Sequence, residues 1–222
     1  MAEIQVMKNI LGENDRVAAE NQALFAEKNV YVINLMGSPG AGKTSVLEKT
    51  MEKLKDKLKM AVIEGDLFTS KDADRIEKHG VPVLQINTAG GCHLDAPMVQ
   101  KVAQKLDLDG LDLLVVENVG NLVCPAEFAV GEDDKGVVLS ITEGDDKPMK
   151  YPLIFKESAI ALLNKADLLP YCNFDMAAAK EDITTLHPGM DVIEVSCTKD
   201  QGLDEWCEWL LSRVAAKQKK GE

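Results

Sequence analysis

The sequence predicts an α/β protein in which a predominantly parallel sheet is flanked by helices. Three observations predict it. Short apolar runs alternate with amphipathic stretches, as expected of buried strands joined by crossover helices. Hydrophobic residues make up 45% of the 222 and charged residues 28%, so a sizeable core can be buried and wholesale disorder is excluded. A glycine-rich loop directly follows the first apolar run, where such folds turn from strand to helix. The organisation expected is one domain over 1–222: a leading helix over 1–28, the sheet-bearing part over 29–216 and a frayed lysine-rich tail over 217–222.

Ile4, Met7, Leu11, Ala18 and Leu24 recur among charged neighbours at helical spacing, which makes the leading segment an amphipathic helix. Strands are expected at 31–36, 60–64, 81–86, 111–117, 136–142, 159–164 and 191–196. Helical patterns lie between them at 43–57, 71–79, 95–106, 173–186 and 203–216. Asp95 ahead of Ala96 and Pro97 is a favourable helix start, because Asp caps the free amides and Pro fits the first turn. EGDDKPMKYP, residues 143–152, reads as a linker.

Twenty-five basic against 37 acidic residues give a formal charge of -12, a surface that repels phosphate backbones and anionic bilayers. Nucleic-acid or membrane binding is therefore not expected as the main activity. No stretch reaches the ~18 consecutive apolar residues of a membrane span, and the N-terminal segment is too charged for a signal peptide, so a cytoplasmic location is expected. Five cysteines are too few for a disulfide scaffold and read as reduced thiols or metal ligands.

GSPGAGKT, Gly37 to Thr44, matches the P-loop pattern GxxxxGK[ST] in its strand-loop-helix context. Its glycines let the backbone curl so that several amides face a β-phosphate. Lys43 then bridges β- and γ-oxygens and the Thr44 hydroxyl ligates Mg2+. The nucleotide-binding set expected here is Gly37, Ser38, Gly40, Ala41, Gly42, Lys43, Thr44 and Ser45, with the following helix aiming its positive end at the phosphates.

Asn164, Lys165 and Asp167 form NKAD at the end of the sixth expected strand, the edge at which ligands bind in an open α/β sheet. An ionised Asp167 accepts from the ring NH and exocyclic amine of guanine, whereas adenine lacks that pair of donors. Lys165 can lie over the ring and Asn164 can brace the loops. SCTK, beginning Ser196 and Cys197, occupies the place of a second base-contacting loop. GTP is therefore expected over ATP.

Mg2+ and an attacking water need acidic groups beside the γ-phosphate. Glu117 ends the run LDLLVVE at the Walker B position, and Gly120 can lend its amide to the γ-phosphate. Asp66, Lys71 and Asp72 follow the second strand as switch residues, with Asp72 the better placed for Mg2+ or water. The expected catalytic set is Lys43, Asp72, Glu117 and Gly120, and the Mg2+ set Thr44, Asp72 and Glu117. No arginine near these motifs is expected to act as a finger in cis, so hydrolysis is expected to be slow without partners.

Cys92 and His93 in GGCHLD, and Cys124 in ENVGNLVCPAE, leave strands at the same sheet edge. Two thiolates and an imidazole suit Zn2+ or Ni2+, but three ligands leave a tetrahedral site incomplete, which a symmetric dimer could complete. By spacing alone, two packed thiols and a surface histidine remain open. Cys207 lies in a core stripe with Leu203, Leu210 and Val214; Cys172 and Cys197 read as packing residues, and His79 and His187 as surface residues.

Together GSPGAGKT, EGDLFTSKDADRIEKHG, GGCHLDAPMV, ENVGNLVCPAEF, TEGDDKPMKYP and NKADLLPYCNFD resemble the hydrogenase nickel-incorporation GTPases, the HypB family, over residues 8–212. The resemblance implies a GTPase of the signal-recognition-particle-like class that forms a homodimer through its nucleotide face. It implies delivery of nickel to the large-subunit precursor of [NiFe] hydrogenase, with a small zinc-containing nickel chaperone as partner. It makes Cys92, His93 and Cys124 nickel or zinc ligands at the dimer interface, and Lys150 the lysine that reaches the partner copy's nucleotide. Some members carry an N-terminal CxxCGC motif or histidine-rich run; here the first cysteine is Cys92 and the first histidine His79. Two other readings are a nucleotide-responsive metal-binding module with incidental hydrolysis, and a related GTPase loading urease or a cobalamin-dependent mutase.

Overall fold

The structure, a computed structural model, describes residues 3–66 and 75–221, with side chains over 11–66 and 75–219. The seven expected strands form: Tyr31–Gly37 (β1), Met60–Asp66 (β2), Val83–Asn87 (β3), Leu113–Glu117 (β4), Asp134–Ser140 (β5), Ile160–Asn164 (β6) and Asp191–Val195 (β7). They make one sheet in the order β3-β2-β4-β1-β5-β6-β7, parallel throughout. Glu3–Glu27 forms α1, Lys43–Leu54 α2, Ala96–Ala103 α3 and Cys124–Glu127 α4. Lys147–Lys150 forms α5, Pro152–Glu157 α6, Met176–Leu186 α7 and Leu203–Gly221 α8. Of the helix expected at 71–79, residues 75–77 are helical and 71–74 lie outside the described residues.

Helices cover both faces, so the strands are apolar on both sides. Along β1, Ile33 and Leu35 point to the face where Leu47 and Met51 of α2 and Trp206 and Leu210 of α8 pack. Val32 points the other way, towards Phe25 of α1 and Val99 of α3, and Met36 towards Phe155 of α6 and Ile183 of α7. Both faces of β1 are thus filled with side chains, and its C-terminal end is left as the opening of the site. β1 runs between β4 and β5, so the chain leaves it towards one side of the sheet and later returns to the other. That switch point opens a crevice beyond the carboxyl ends of the strands.

Four expectations need correction. The segment 143–152 is not a linker. It carries the short helix α5, with Pro148 buried, and its last residue, Pro152, opens α6. β5 stops at Ser140 because a capping box turns the chain there: the Ser140 amide donates to Glu143 Oε1 at 2.9 Å. The tail does not fray at 217, since α8 continues to Gly221. Lys217 pairs with Asp133 at 2.5 Å and Gln218 donates to Asp112 at 2.7 Å, holding the last turns on the sheet. On α1, Leu11 and Leu24 are only half-buried and Ile4 and Met7 lie outside the described side chains. The buried face is Asn14, Val17, Ala18, Asn21 and Phe25.

Candidate nucleotide and metal site

The glycine-rich loop leaves β1 and enters α2 through two left-handed residues, Gly40 at φ 77° and Gly42 at φ 95°. Glycine is needed at these angles. A Cβ on Gly42 would also stand 2.3 Å from Asn164 Nδ2. Lys43 and Thr44 are buried at the start of α2, where its free amides point out of the loop. Lys43 Nζ donates to the carbonyls of Gly37 and Ser38 at 3.2 and 3.3 Å, folded back over its own loop. Ser38 donates to Glu143, which ties the loop to the turn after β5. A cavity of about 410 Å3 opens here, within the usual range for small-ligand sites of roughly 300–1,000 Å3.

Glu117, at the end of β4, is 4% exposed and accepts from Thr44 Oγ1 at 2.7 Å. The two hard oxygen donors proposed for Mg2+ therefore already converge, and they fit that ion. The register also sets Glu64 of β2 directly opposite Glu117, 2% exposed and lining the cavity. Sequence reasoning missed Glu64. Its signal was available, an acidic residue inside the apolar run MAVIE, but only strand pairing shows which carboxylate it faces. Gly120 lines the cavity with its Cα against Pro39, where a Cβ would stand 2.8 Å from the proline ring nitrogen. Asp66 lines the cavity, whereas Lys71 and Asp72 lie outside the described residues.

The expectation of no nearby arginine is corrected by Arg75, which lines the cavity from beyond the switch segment. Its guanidinium is held by Glu48 at 2.5 Å and by Ser45 Oγ at 3.1 Å, both on α2. Arg75 is visible in the sequence three residues after Asp72, but its contact with Ser45, thirty residues away, follows only from the fold.

NKAD does two jobs at the loop. Asn164 Nδ2 donates to Ala41 O at 2.8 Å and Lys165 Nζ to Gly40 O at 2.7 Å, bracing the glycine-rich turn from the sixth strand. Asp167 accepts from Ser196 Oγ at 2.6 Å and Thr198 Oγ1 at 2.9 Å. The Ser196 hydroxyl bond is the main reason its carboxyl is held below the usual carboxylate range. An ionised, fixed carboxylate is the state that accepts two donors from one base edge. Cys197 is half-buried against the core and its thiol is pushed up to about 11 by burial, so it packs rather than reacts. Cys172 is also half-buried and packed, and Cys207 is buried in the core; His79 and His187 are half-buried rather than exposed.

Among the described residues, Cys92, His93 and Cys124 bring their ligand atoms within 4.8 Å of one another. The sulfurs are 3.1 Å apart and His93 Nδ1 lies 3.5 Å from Cys92 Sγ. Ligands around a tetrahedral ion are separated by ~3.8 Å for two sulfurs at ~2.3 Å from the metal, and by ~3.6 Å for sulfur and nitrogen. The spacing of Cys92 and His93 already suits such an ion, and the sulfurs need to part by about 0.7 Å. His93 stacks on Phe128 with ring centroids 4.0 Å apart, and burial holds its pKa below the usual value, which favours the neutral, metal-binding ring. The contact with Cys92 raises the Cys124 thiol.

Buried asparagines hold the two arms that carry Cys92–His93 and Cys124. Asn14 of α1 accepts from Ala96 N and donates to Ala129 O, both at 2.9 Å. Asn21 donates to Ala96 O at 3.0 Å and Val130 O at 2.9 Å. Asn118, just past Glu117, accepts from Leu94 N at 3.0 Å and donates to Asn34 of β1 at 3.1 Å. The segments that follow Cys92–His93 and Cys124 are thereby fixed to one helix. Lys150 lies apart, exposed on α5 and 5.9 Å from the Tyr151 ring centroid.

A family model described as "CobW/HypB/UreG, nucleotide-binding domain" matches residues 31–194. The hydrogenase maturation factor HypB of Escherichia coli strain K12 is 48% identical over 216 residues, covering 97% of this chain and 74% of that protein. The chain belongs to the HypB family of hydrogenase maturation factors. Another HypB family member, the hydrogenase/urease maturation factor of Helicobacter pylori strain J99, is 39% identical over 95% of this chain and 88% of its own. The crystal structure of HypB from Helicobacter pylori in complex with nickel matches with a TM-score of 0.87 at 38% identity, covering 95% of this chain and 97% of that one. Among the described residues no helix is long and apolar enough to cross a membrane.

Proposed function

We propose that this HypB-family chain binds GTP with Mg2+, hydrolyses it slowly to GDP and phosphate, and uses that cycle to deliver nickel during maturation of [NiFe] hydrogenase. The observation that carries the reading is one run of chain, Glu117–Cys124, which lines the nucleotide cavity at one end and supplies a metal-binding thiol at the other. Lys43 and the amides of the glycine-rich loop hold the β- and γ-phosphates. Thr44 and Glu117 hold Mg2+, which neutralises charge developing on the phosphate oxygens. Asp167, fixed by Ser196 and Thr198, selects guanine, with Ser196 and Cys197 forming the second loop around the base. Asp72 belongs to the switch segment that orients Mg2+ or the attacking water, and the Gly120 amide meets the γ-phosphate. Arg75, engaged with Glu48, does not add its charge without rearrangement, which keeps the isolated rate low.

Nickel is cargo here, taken by Cys92, His93 and Cys124, with Zn2+ an alternative ion for the same donors. Three donors per chain leave room for a second copy, so the active form is a homodimer, with Lys150 reaching across it. Val123 beside Cys124 and Met149 beside Lys150 are 50% and 55% exposed, large apolar groups suited to such a contact. The partners are a small zinc-containing nickel chaperone and the hydrogenase large-subunit precursor, met in the cytoplasm.

Equilibrium dialysis of nickel against protein loaded with GDP or a non-hydrolysable GTP analogue, with a Cys92→Ala control, tests this. Binding that depends on nucleotide and is lost in the variant supports it; binding that survives the substitution refutes the assigned ligands. Lys43→Ala should abolish hydrogenase maturation if hydrolysis drives the cycle, and spare it if the protein is only a nucleotide-responsive metal-binding module. The name of the Helicobacter pylori relative brings in a second client, urease. Measuring hydrogenase and urease activity in a strain lacking the gene separates the two.

A further inference from the structure

Asn121 lies midway between the two sites and touches both. Its backbone amide donates to Gly37 O at 2.9 Å, closing an isolated antiparallel bridge to the first residue of the glycine-rich loop. Its side chain then divides. Nδ2 donates to the carbonyl of Cys92 at 3.2 Å, and Oδ1 accepts from Val123 N at 2.9 Å, immediately before Cys124. One residue thus holds the backbone beside both cysteines.

The Gly37 carbonyl is the shared element. It accepts from Lys43 Nζ at 3.2 Å as well as from Asn121. A carbonyl oxygen has two acceptor positions, and both are occupied here. When a nucleotide phosphate draws the Lys43 ammonium away, Gly37 O keeps only the Asn121 amide. That bond is then free to shorten and reorient. Gly120, next in the chain, lies close enough to Pro39 that an added Cβ would stand 2.8 Å from it, so little slack separates the two.

Metal geometry makes the far end sensitive. Metal sites require ligand distances within about 0.2 Å of ideal, so a displacement of a few tenths of an ångström changes affinity. We propose that Asn121 is the positioning residue through which occupancy of the glycine-rich loop is conveyed to Cys92 and Cys124. This rests on the proposed nucleotide-linked metal site and names the group that links its halves. Asn121 acts through the Gly37 carbonyl on one side and, on the other, through the Cys92 and Val123 backbone and the Cys124 thiol, which its side chain also meets. Because coupling is reciprocal, metal must change nucleotide affinity by the same factor.

The test is a thermodynamic cycle on the full chain, with nickel(II) alone as metal and GDP or a non-hydrolysable GTP analogue as nucleotide. Nickel affinity is read with and without nucleotide, and nucleotide affinity with and without nickel. The wild-type chain should show a coupling factor of at least about 5 between at least one nucleotide state and nickel. Asn121→Ala should bind each ligand alone but bring that factor below about 2. Asn121→Asp keeps an acceptor for Val123 N while losing the donor to Cys92, so it should also uncouple the sites, and it serves if the alanine variant folds poorly. A full wild-type factor in either folded variant overturns the proposal, as does a wild-type chain whose nickel affinity ignores nucleotide. If Cys92→Ala leaves nickel binding intact, the functional reading itself fails, and this inference with it.

Discussion

Gly42→Ala paired with Gly40→Ala isolates what the sixth strand contributes to the phosphate-binding loop. Both glycines sit at left-handed φ, 95° and 77°, so either alanine adds backbone strain of ~1–2 kcal/mol. They differ in their surroundings. A Cβ on Gly40 meets nothing within 4 Å, whereas one on Gly42 stands 2.3 Å from Asn164 Nδ2. Relieving that clash moves Asn164 by about 1 Å, which breaks its 2.8 Å bond to Ala41 O. Leaving that buried pair unmade costs a further ~1–3 kcal/mol. Urea unfolding of the nucleotide-free proteins should therefore place Gly42→Ala ~1–3 kcal/mol below Gly40→Ala. Its GDP affinity should fall more as well, because the loop that carries Asp167 shifts with Asn164. Equal destabilisation of the two variants would refute the argument that Asn164 braces this turn.

Asp167→Asn should lose guanine nucleotides by at least about tenfold and gain affinity for xanthine nucleotides, whose 2-oxo group accepts from the new amide; competition with labelled GDP reads both. Glu117→Gln keeps an acceptor for Thr44 and removes the charge, so Mg2+ should no longer tighten GTP-analogue binding while Mg2+-free binding changes little. Nickel affinity should rise with pH by up to about a hundredfold per unit, since two thiols each release a proton on ligation and the Cys124 thiol is raised; burial lowers the His93 pKa, so the imidazole adds less to that slope than an exposed one would. A slope near zero in a pH series of metal titrations would contradict the thiolate assignment. Asn21→Ala strips the donor shared by two buried carbonyls and should lower stability by ~2–4 kcal/mol in urea unfolding, with nickel affinity falling as the two arms loosen.

The sequence by itself determined the strands, the glycine-rich P-loop pattern, the NKAD turn after the sixth strand and the candidate metal donors Cys92, His93 and Cys124. Each is a local pattern: apolar period, glycine spacing, or a donor set within a few residues of a strand end. It was weakest where turns are capped and ends are held from afar. The 3-10 turn after β5 depends on Glu143 reaching back to Ser140, and the last turns of α8 depend on Asp133 and Asp112. Only the tertiary structure decided that Arg75 faces the nucleotide cavity, that Glu64 stands opposite Glu117, and that Asn14 and Asn21 occupy the buried side of α1 in place of apolar residues. These placements follow from strand register and helix docking, which join residues tens of positions apart through backbone carbonyls that no side-chain pattern records. The convergence of Cys92 with Cys124 and the passage through Asn121 to Gly37 belong to the same class. The sequence names the donors, and the parallel order of the sheet brings them to one edge.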